Sequence, residues 1–225
     1  MKRQLNDILP NHDDEDEPSP KKKHTTTRPS LIKKLISGGQ TGADRAGLEA
    51  AESLGIETGG WAARGFQTTG GKDVSLKNRF HLKELVLPTK NGSGMPGSPL
   101  SLSLMVIGNS SVAQSYVARS QKNVDDSDGT VAFRMYVSSG TDNTIGYCLT
   151  HRWRHVSRFD LATSYKPCLV ITDFTDHKNV SRIRDFIRTH KIETLNVAGH
   201  RDNTVVKDFS QKIKSLLTEA LTQKI

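Results

Sequence analysis

The chain has 225 residues, of which 34% are hydrophobic, a formal net charge of +8 and two cysteines. That length supports one sizeable core with extra pieces rather than two complete domains, and two cysteines without a CxxC spacing exclude a disulfide framework and fit a reducing compartment. No apolar run reaches the ~18 residues a membrane helix needs, and the opening MKRQLNDILPNHDD has no apolar signal core, so a soluble, intracellular protein with no membrane partner is expected.

Residues 1–30 are polar and contain the acidic block DDEDE followed by PSPKKKH and TTTRPS. Such a stretch buries too little apolar surface to offset its ordering entropy, so it is expected to be a disordered tail. Its six basic and six acidic residues cancel, which leaves the whole positive excess in the folded part from residue 31 onward. A basic globular domain attracts anions, whether phosphorylated metabolites or nucleic acid. Lys21, Lys22 and Lys23 read either as a nuclear-import signal or as a solvated basic cluster, so localisation stays open between cytoplasm and nucleus.

From Leu31 onward short apolar runs alternate with helical periodicity, the pattern of strand-helix units around a mostly parallel sheet, and the fold class is α/β. A first strand over 32–37 leads through glycines into a helix over about 42–54, whose small face of Ala43, Ala46, Gly47 and Ala50 lets it lie close to the sheet. A second strand is expected at 56–61, a helix at 112–123, a strand at 130–136 and a helix at 142–150. Then follow a strand at 168–172, a helix bearing Val180, Ile183, Phe186 and Ile187, a strand at 194–197, and a closing helix with Val205, Phe209, Ile213, Leu216 and Leu217. Residues 90–111, a Gly/Pro/Ser-rich loop followed by LSLSLMVIG, read as an insertion or an extra edge strand, and 152–165 as a surface excursion.

The chemistry-bearing segment is Ser37-Gly38-Gly39-Gln40-Thr41-Gly42-Ala43-Asp44-Arg45, between a strand and a helix. Glycines there bring the backbone close to a ligand, and the first helical amides lack intrahelical partners, which favours an anion. Gln40 adds a hydrogen bond and Arg45 is placed to clamp an oxyanion. Thr41-x-x-Asp44 is also a capping-box pattern that would occupy two of those amides. The loop has neither the GK[ST] ending of a Walker A motif nor a GxGxxG, and Trp61 and Arg64 stand where a dinucleotide site places an acid, which disfavours NAD.

Two further turns follow strands: Ser138-Ser139-Gly140-Thr141-Asp142-Asn143-Thr144 and Asn196-Val197-Ala198-Gly199-His200-Arg201. In an open α/β sheet the carboxyl ends of strands share one edge, so all three turns are expected to face one crevice. Asp125, Asp126 and Asp128 read as a cation or ribose site or, more often for such a cluster, as a solvated turn. His151 and His155 have metal-ligand spacing if helical, but no third ligand stands near, so no metal centre is expected. No Ser/His/Asp or Cys/His pattern points to covalent catalysis.

At these residues the chain resembles a known family. ISGGQTGADRAGLEAAESLGIETGGWAARG, KNVDDSDGTVAF, SSGTDNT, KPCLVITDF and TLNVAGHR are together similar to the putative molybdenum carrier family, the circularly permuted branch of the SLOG superfamily of Rossmann-like nucleotide-binding proteins. The resemblance runs from about Ile36 to near Leu221. It implies a Rossmann-like sheet, a homo-oligomer, and a cofactor-binding site on the glycine loops: Gly38, Gly39, Gln40, Thr41, Gly42, Asp44 and Arg45, then Ser139, Gly140, Thr141 and Thr144, then Asn196 and Gly199. Members are named for a molybdopterin-type cofactor, a pterin carrying a phosphate. The chain departs from the pattern at FQTTGGKDVS after GGW, at 90–111 and at HRWRHVSRFDLATS.

The function these features imply is binding or carriage of a small phosphorylated ligand, whether molybdopterin-type cofactor, molybdate or nucleotide, with an aromatic such as Trp61 to stack on a ring. The alternative is cleavage of the N-glycosidic bond of a nucleoside monophosphate, as in the related lonely-guy phosphoribohydrolases. Their PGGxGTxxE motif carries a catalytic glutamate, and SSGTDNT has none. No recognition-helix or aromatic-rich basic strand supports nucleic-acid binding.

Overall fold

The computed structural model describes residues 30–86, 112–150, 165–202 and 205–222. The expectations for the tail, for 90–111 and for the two histidines of HRWRH therefore lie outside the described residues.

Five parallel strands form the central sheet in the order β2-β1-β9-β7-β8, with β1 Lys34–Ser37, β2 Glu57–Gly59, β7 Gly129–Phe133, β8 Cys168–Ile171 and β9 Thr194–Gly199. The apolar runs of the inner strands β1, β7 and β9 are buried on both faces, as parallel strands between helical layers must be: Leu35, Val131, Phe133, Leu195 and Val197 are fully buried. Helices α1 Ala43–Ser53, α5 Lys178–Thr189 and α6 Phe209–Leu221 pack in one group, and α3 Val112–Asp125 packs on α4 Ser139–Thr150. The small face of α1 does what its composition predicts, since a side chain on Gly47 would come within 2.8 Å of Val197 on β9.

The expected strand at 56–61 is divided. β2 leaves the main sheet after Gly59, the chain turns at Gly60, and Trp61–Ala62 forms a separate strand β3 paired with β6 Lys83–Glu84. Between them lie a single 3-10 turn, the small hairpin β4 Gln67–Thr68 with β5 Gly71–Lys72, and the short helix α2 Ser75–Asn78, which brings Leu76 into the core. None of these short pieces has enough length for a legible period. α4 begins at Ser139, three residues earlier than the apolar pattern predicts, because Asp142 accepts the Ser138 N–H at 2.9 Å and fixes the first turn.

From β1 the chain moves outward to β2, and from β7 outward to β8 on the other side, so β9 lies at the reversal of direction. Crevices form outside the carboxyl ends of strands at such a switch point.

Candidate functional site

A cleft of about 490 Å³ opens there, lined by Gly38, Gln40 and Asp44 after β1, by Ser138, Ser139, Gly140, Thr141 and Thr144 at the start of α4, and by Asn196 to Asp202 from β9 onward. The three turns share one crevice. Its remaining wall is α3, through Tyr116, Val117, Arg119, Ser120 and Asn123. Positions 116, 119, 120 and 123 recur at i, i+3, i+4 and i+7, a polar stripe on one helix face. That periodicity is the signal by which sequence reasoning, following the apolar residues of this helix, could have found the wall.

The β1–α1 turn is closed by the protein's own groups. The Gln40 N–H donates to Asp44 Oδ2 at 3.3 Å, the Gly42 N–H to Asp202 Oδ2 at 3.1 Å, and the Ala43 N–H to the His200 carbonyl at 3.0 Å. Asp202 also accepts the Ser210 hydroxyl at 2.6 Å, so one carboxylate holds the starts of α1 and α6 together. The capping box of Thr41 with Asp44 does not form, since Asp44 reaches back to Gln40 and α1 has no side-chain cap at Gly42. Gly42 is required here: its φ is +84°, and a Cβ would stand 2.3 Å from the His200 carbonyl oxygen.

Of the residues singled out in this turn, Gly38, Gln40 and Asp44 line the cleft, whereas Gly39, Thr41, Gly42 and Arg45 do not. Gly39 packs under Leu76. The Arg45 guanidinium points the other way, pairing with Asp73, donating to Ser75 Oγ at 3.2 Å and lying over the Phe80 ring. Trp61 is also elsewhere, its indole N–H donating to Asp126 at 2.7 Å, and among the described residues the aromatics at the cleft are Tyr116 and Tyr136. Asp125 accepts from the Tyr147 hydroxyl, and Asp128 accepts the amides of Glu193 and Thr194, so these acids serve the scaffold.

The amides of Ser139, Gly140 and Thr141 are the first three of α4 and have no intrahelical partners. A side chain added to Gly140 would meet nothing within 4 Å, so the backbone is open to the cleft. The Thr144 hydroxyl donates to the Gly140 carbonyl at 3.3 Å.

Three buried polar side-chain atoms without a hydrogen-bond partner stand out among the described residues: Arg119 Nε, Asn196 Oδ1 and His200 Nε2. All three belong to residues that line this cleft. An unpaired buried polar atom costs about 1–3 kcal/mol, so these three residues mark the part of the scaffold with the least satisfied hydrogen bonding. Asn196 is fixed by its amide donating to Thr130 Oγ1 at 3.1 Å, which leaves Oδ1 as an acceptor.

His200 is fixed from behind. The Met135 N–H lies 3.2 Å from Nδ1 and can only donate, so Nδ1 is unprotonated, the proton sits on Nε2, and the approach of the Phe133 carbonyl to Nδ1 at 3.4 Å is not a hydrogen bond. Burial pushes the imidazole below its ordinary value of 6.5, with the nearby Asp142 carboxylate opposing in part, so the ring is a neutral Nε2–H donor. Tyr136 packs edge-on against it at 4.3 Å.

No helix among the described residues is long and apolar enough to cross a membrane, and no group of three or more His, Cys, Asp or Glu among them is arranged to hold a metal ion.

Comparison with known proteins agrees with this architecture. No curated protein matches the chain. A solved structure of a putative molybdenum carrier protein from Syntrophus aciditrophicus SB is similar to it, with a TM-score of 0.61 and 28% identity over 85% of this chain and 96% of that one. The model of the circularly permutated YpsA SLOG family matches residues 35–92 and 108–221, which contain all three cleft-forming turns and the α3 wall. A Rossmann-like parallel sheet with its cleft at the switch point, and a family match over most of its length, mean that this chain belongs to the circularly permutated YpsA SLOG family.

Proposed function

We propose that the cleft binds a small ligand bearing a phosphate or comparable oxyanion, a nucleotide or a molybdopterin-type pterin phosphate, and carries it without covalent chemistry. The observation that supports this most is that the three residues carrying an unpartnered buried polar atom, Arg119, Asn196 and His200, all line one cleft at the sheet's switch point. A volume near 490 Å³ is of the size that small-molecule sites have, and the open amides at the start of α4 suit a negative group. Similarity to the putative molybdenum carrier protein from Syntrophus aciditrophicus favours a molybdenum-bearing cargo. The donors found here, Arg119, the His200 Nε2–H and the amides at the start of α4, would suit the phosphate of such a cargo.

Carriage fits the carboxylates better than N-glycosidic cleavage does. Among the described residues the carboxylates that line the cleft are Asp44 and Asp202, the first tied to Arg119 and the second to Gly42 and Ser210. Neither is placed to serve as a general acid or base.

The test is a thermal-shift panel of AMP, GMP, inorganic phosphate and molybdate, alongside native mass spectrometry of protein purified from its own cells. At a hundredfold excess over Kd a ligand of the folded state adds about 2.7 kcal/mol, which a melting curve resolves easily. A rise with at least one phosphorylated compound, or a retained mass, is expected. Neither shift nor retained mass would sink the reading, and release of adenine from AMP would move it to the hydrolase class.

A further inference from the structure

The glycine at the end of β1 is expected, from its sequence context, to bring backbone close to a ligand. The structure shows a different neighbour there. A Cβ built on Gly38 would stand 0.8 Å from Arg119 Nη1 and 2.1 Å from Cζ, so the guanidinium fills the volume that any other residue's side chain would take. Arg119 reaches this place from α3, 75 positions further along the chain than Asp44, and donates from Nη1 to Asp44 Oδ2 at 2.9 Å. Both side chains are more than nine-tenths buried.

A guanidinium has five N–H donors. Asp44 takes one nitrogen, Nη1, the one on the same side as Cδ. Nε is enclosed and unpartnered. Nε and Nη2 form the side-on fork of an arginine, which matches two oxygens of a carboxylate or a tetrahedral oxyanion. We infer that Arg119 is the anion-holding residue of the cleft, receiving one tetrahedral oxyanion through its Nε/Nη2 fork, with Asp44 as the residue that positions it. This rests on the cleft reading given above and deepens it.

Several observations agree. Arg119 lines the same cleft as Ser139, Gly140 and Thr141, whose amides at the start of α4 have no intrahelical partners. Arg201 lines that cleft too, and both guanidinium carbons lie within 5.8 Å of the Tyr116 ring centre, so positive charge gathers on one wall. Arg45, which the sequence context favours for a clamp, is committed to Asp73. Asp44 keeps the buried cation paired while no guest is present, since leaving it unpaired would be strongly destabilising. Asp44 Oδ2 also accepts the Gln40 N–H, which fixes the carboxylate relative to the β1–α1 turn.

The test is isothermal titration of full-length wild type, R119K, R119M, D44N, H200Q and the double variant D44N/R119M with AMP, adenosine and inorganic phosphate, each variant checked by circular dichroism. D44N/R119M removes both charges together, so it stays folded where R119M alone leaves Asp44 buried and unpaired. AMP affinity is expected to fall at least tenfold in the double variant and severalfold in R119K, which lacks the fork, while adenosine affinity is unchanged. D44N alone should weaken AMP binding, and should weaken it no further once Arg119 is gone, an outcome that a purely structural role would not give. Competition of inorganic phosphate against AMP in wild type identifies a free oxyanion as sufficient; its failure with AMP still Arg119-dependent identifies an ester. AMP binding within twofold of wild type in R119K and in the double variant would overturn the assignment of Arg119 and leave the cleft reading intact, provided that H200Q weakens binding. No saturable binding of AMP or phosphate by wild type, together with a silent thermal-shift panel, would remove both.

Discussion

His200 is a cleft-lining side chain whose protonation is shifted by its surroundings. Its ring is held neutral by burial, and in the unfolded chain it returns to its ordinary value near 6.5. Between the folded and unfolded values the unfolded chain binds more protons, so stability rises with pH up to about 6.5 and is flat above it; on acidification the contribution is lost as pH falls through the lowered folded value. Urea melts at steps from pH 7.5 to 5 should show this fall in the wild type and a shallower one in H200Q. A steeper fall in H200Q would mean that the imidazole is charged in the fold. The lowered carboxyl of Asp142, held chiefly by the Arg134 guanidinium, acts with the same sign but at more acidic pH, so the two contributions separate along the titration.

At the scale of elements, the β4–β5 hairpin and α2 hang on one cation of α1. Arg45 pairs with Asp73 and Ser75 in that lobe and lies against Phe80, which is fully buried. Asp73 is correspondingly held below the usual carboxylate range, first by the Ser75 hydroxyl and then by Arg45, against the opposing cost of its burial. R45A is therefore expected to lower stability by about 1 kcal/mol, the upper end for a partly exposed ion pair, with AMP affinity within twofold of wild type. A tenfold loss of affinity with an unchanged melting curve would return Arg45 to the site.

These elements also differ in how legible they are in the sequence. The strands of the main sheet, with α1, α5 and α6, are long enough for their periods to speak, and the shared edge of three turns follows from the parallel topology alone. The lobe at 60–86 consists of two-residue strands and one turn of helix, stabilised by contacts such as Arg45 with Asp73 that join residues 28 apart, and no local pattern encodes those. Side-chain direction is equally hidden. Asp44 and Arg45 are neighbours in one turn of helix, yet one faces the cleft and the other the hairpin lobe. Gly38 reads as a ligand glycine from sequence because its partner, Arg119, lies on a helix whose polar stripe is legible only once the apolar residues are set aside.

At the scale of the whole molecule, the two edges of the folded region meet. Ser30 bridges Thr222, the Leu31 N–H donates to the Leu221 carbonyl at 3.3 Å, and β1 lies beside β9, the last strand. Strand order in the sheet is therefore indifferent to which peptide bond is absent between neighbouring elements. A gene that splices codon 222 to codon 30 through a short glycine-serine tether and opens the coding frame at the exposed turn after β8, near Asp173, should give a protein with the parent's circular dichroism spectrum and much the same melting temperature. Such a relocated start leaves the pocket undisturbed, because the residues that line it come from the sheet's rim and from α3, and the join lies at the Ser30–Thr222 seam, outside the cleft lining.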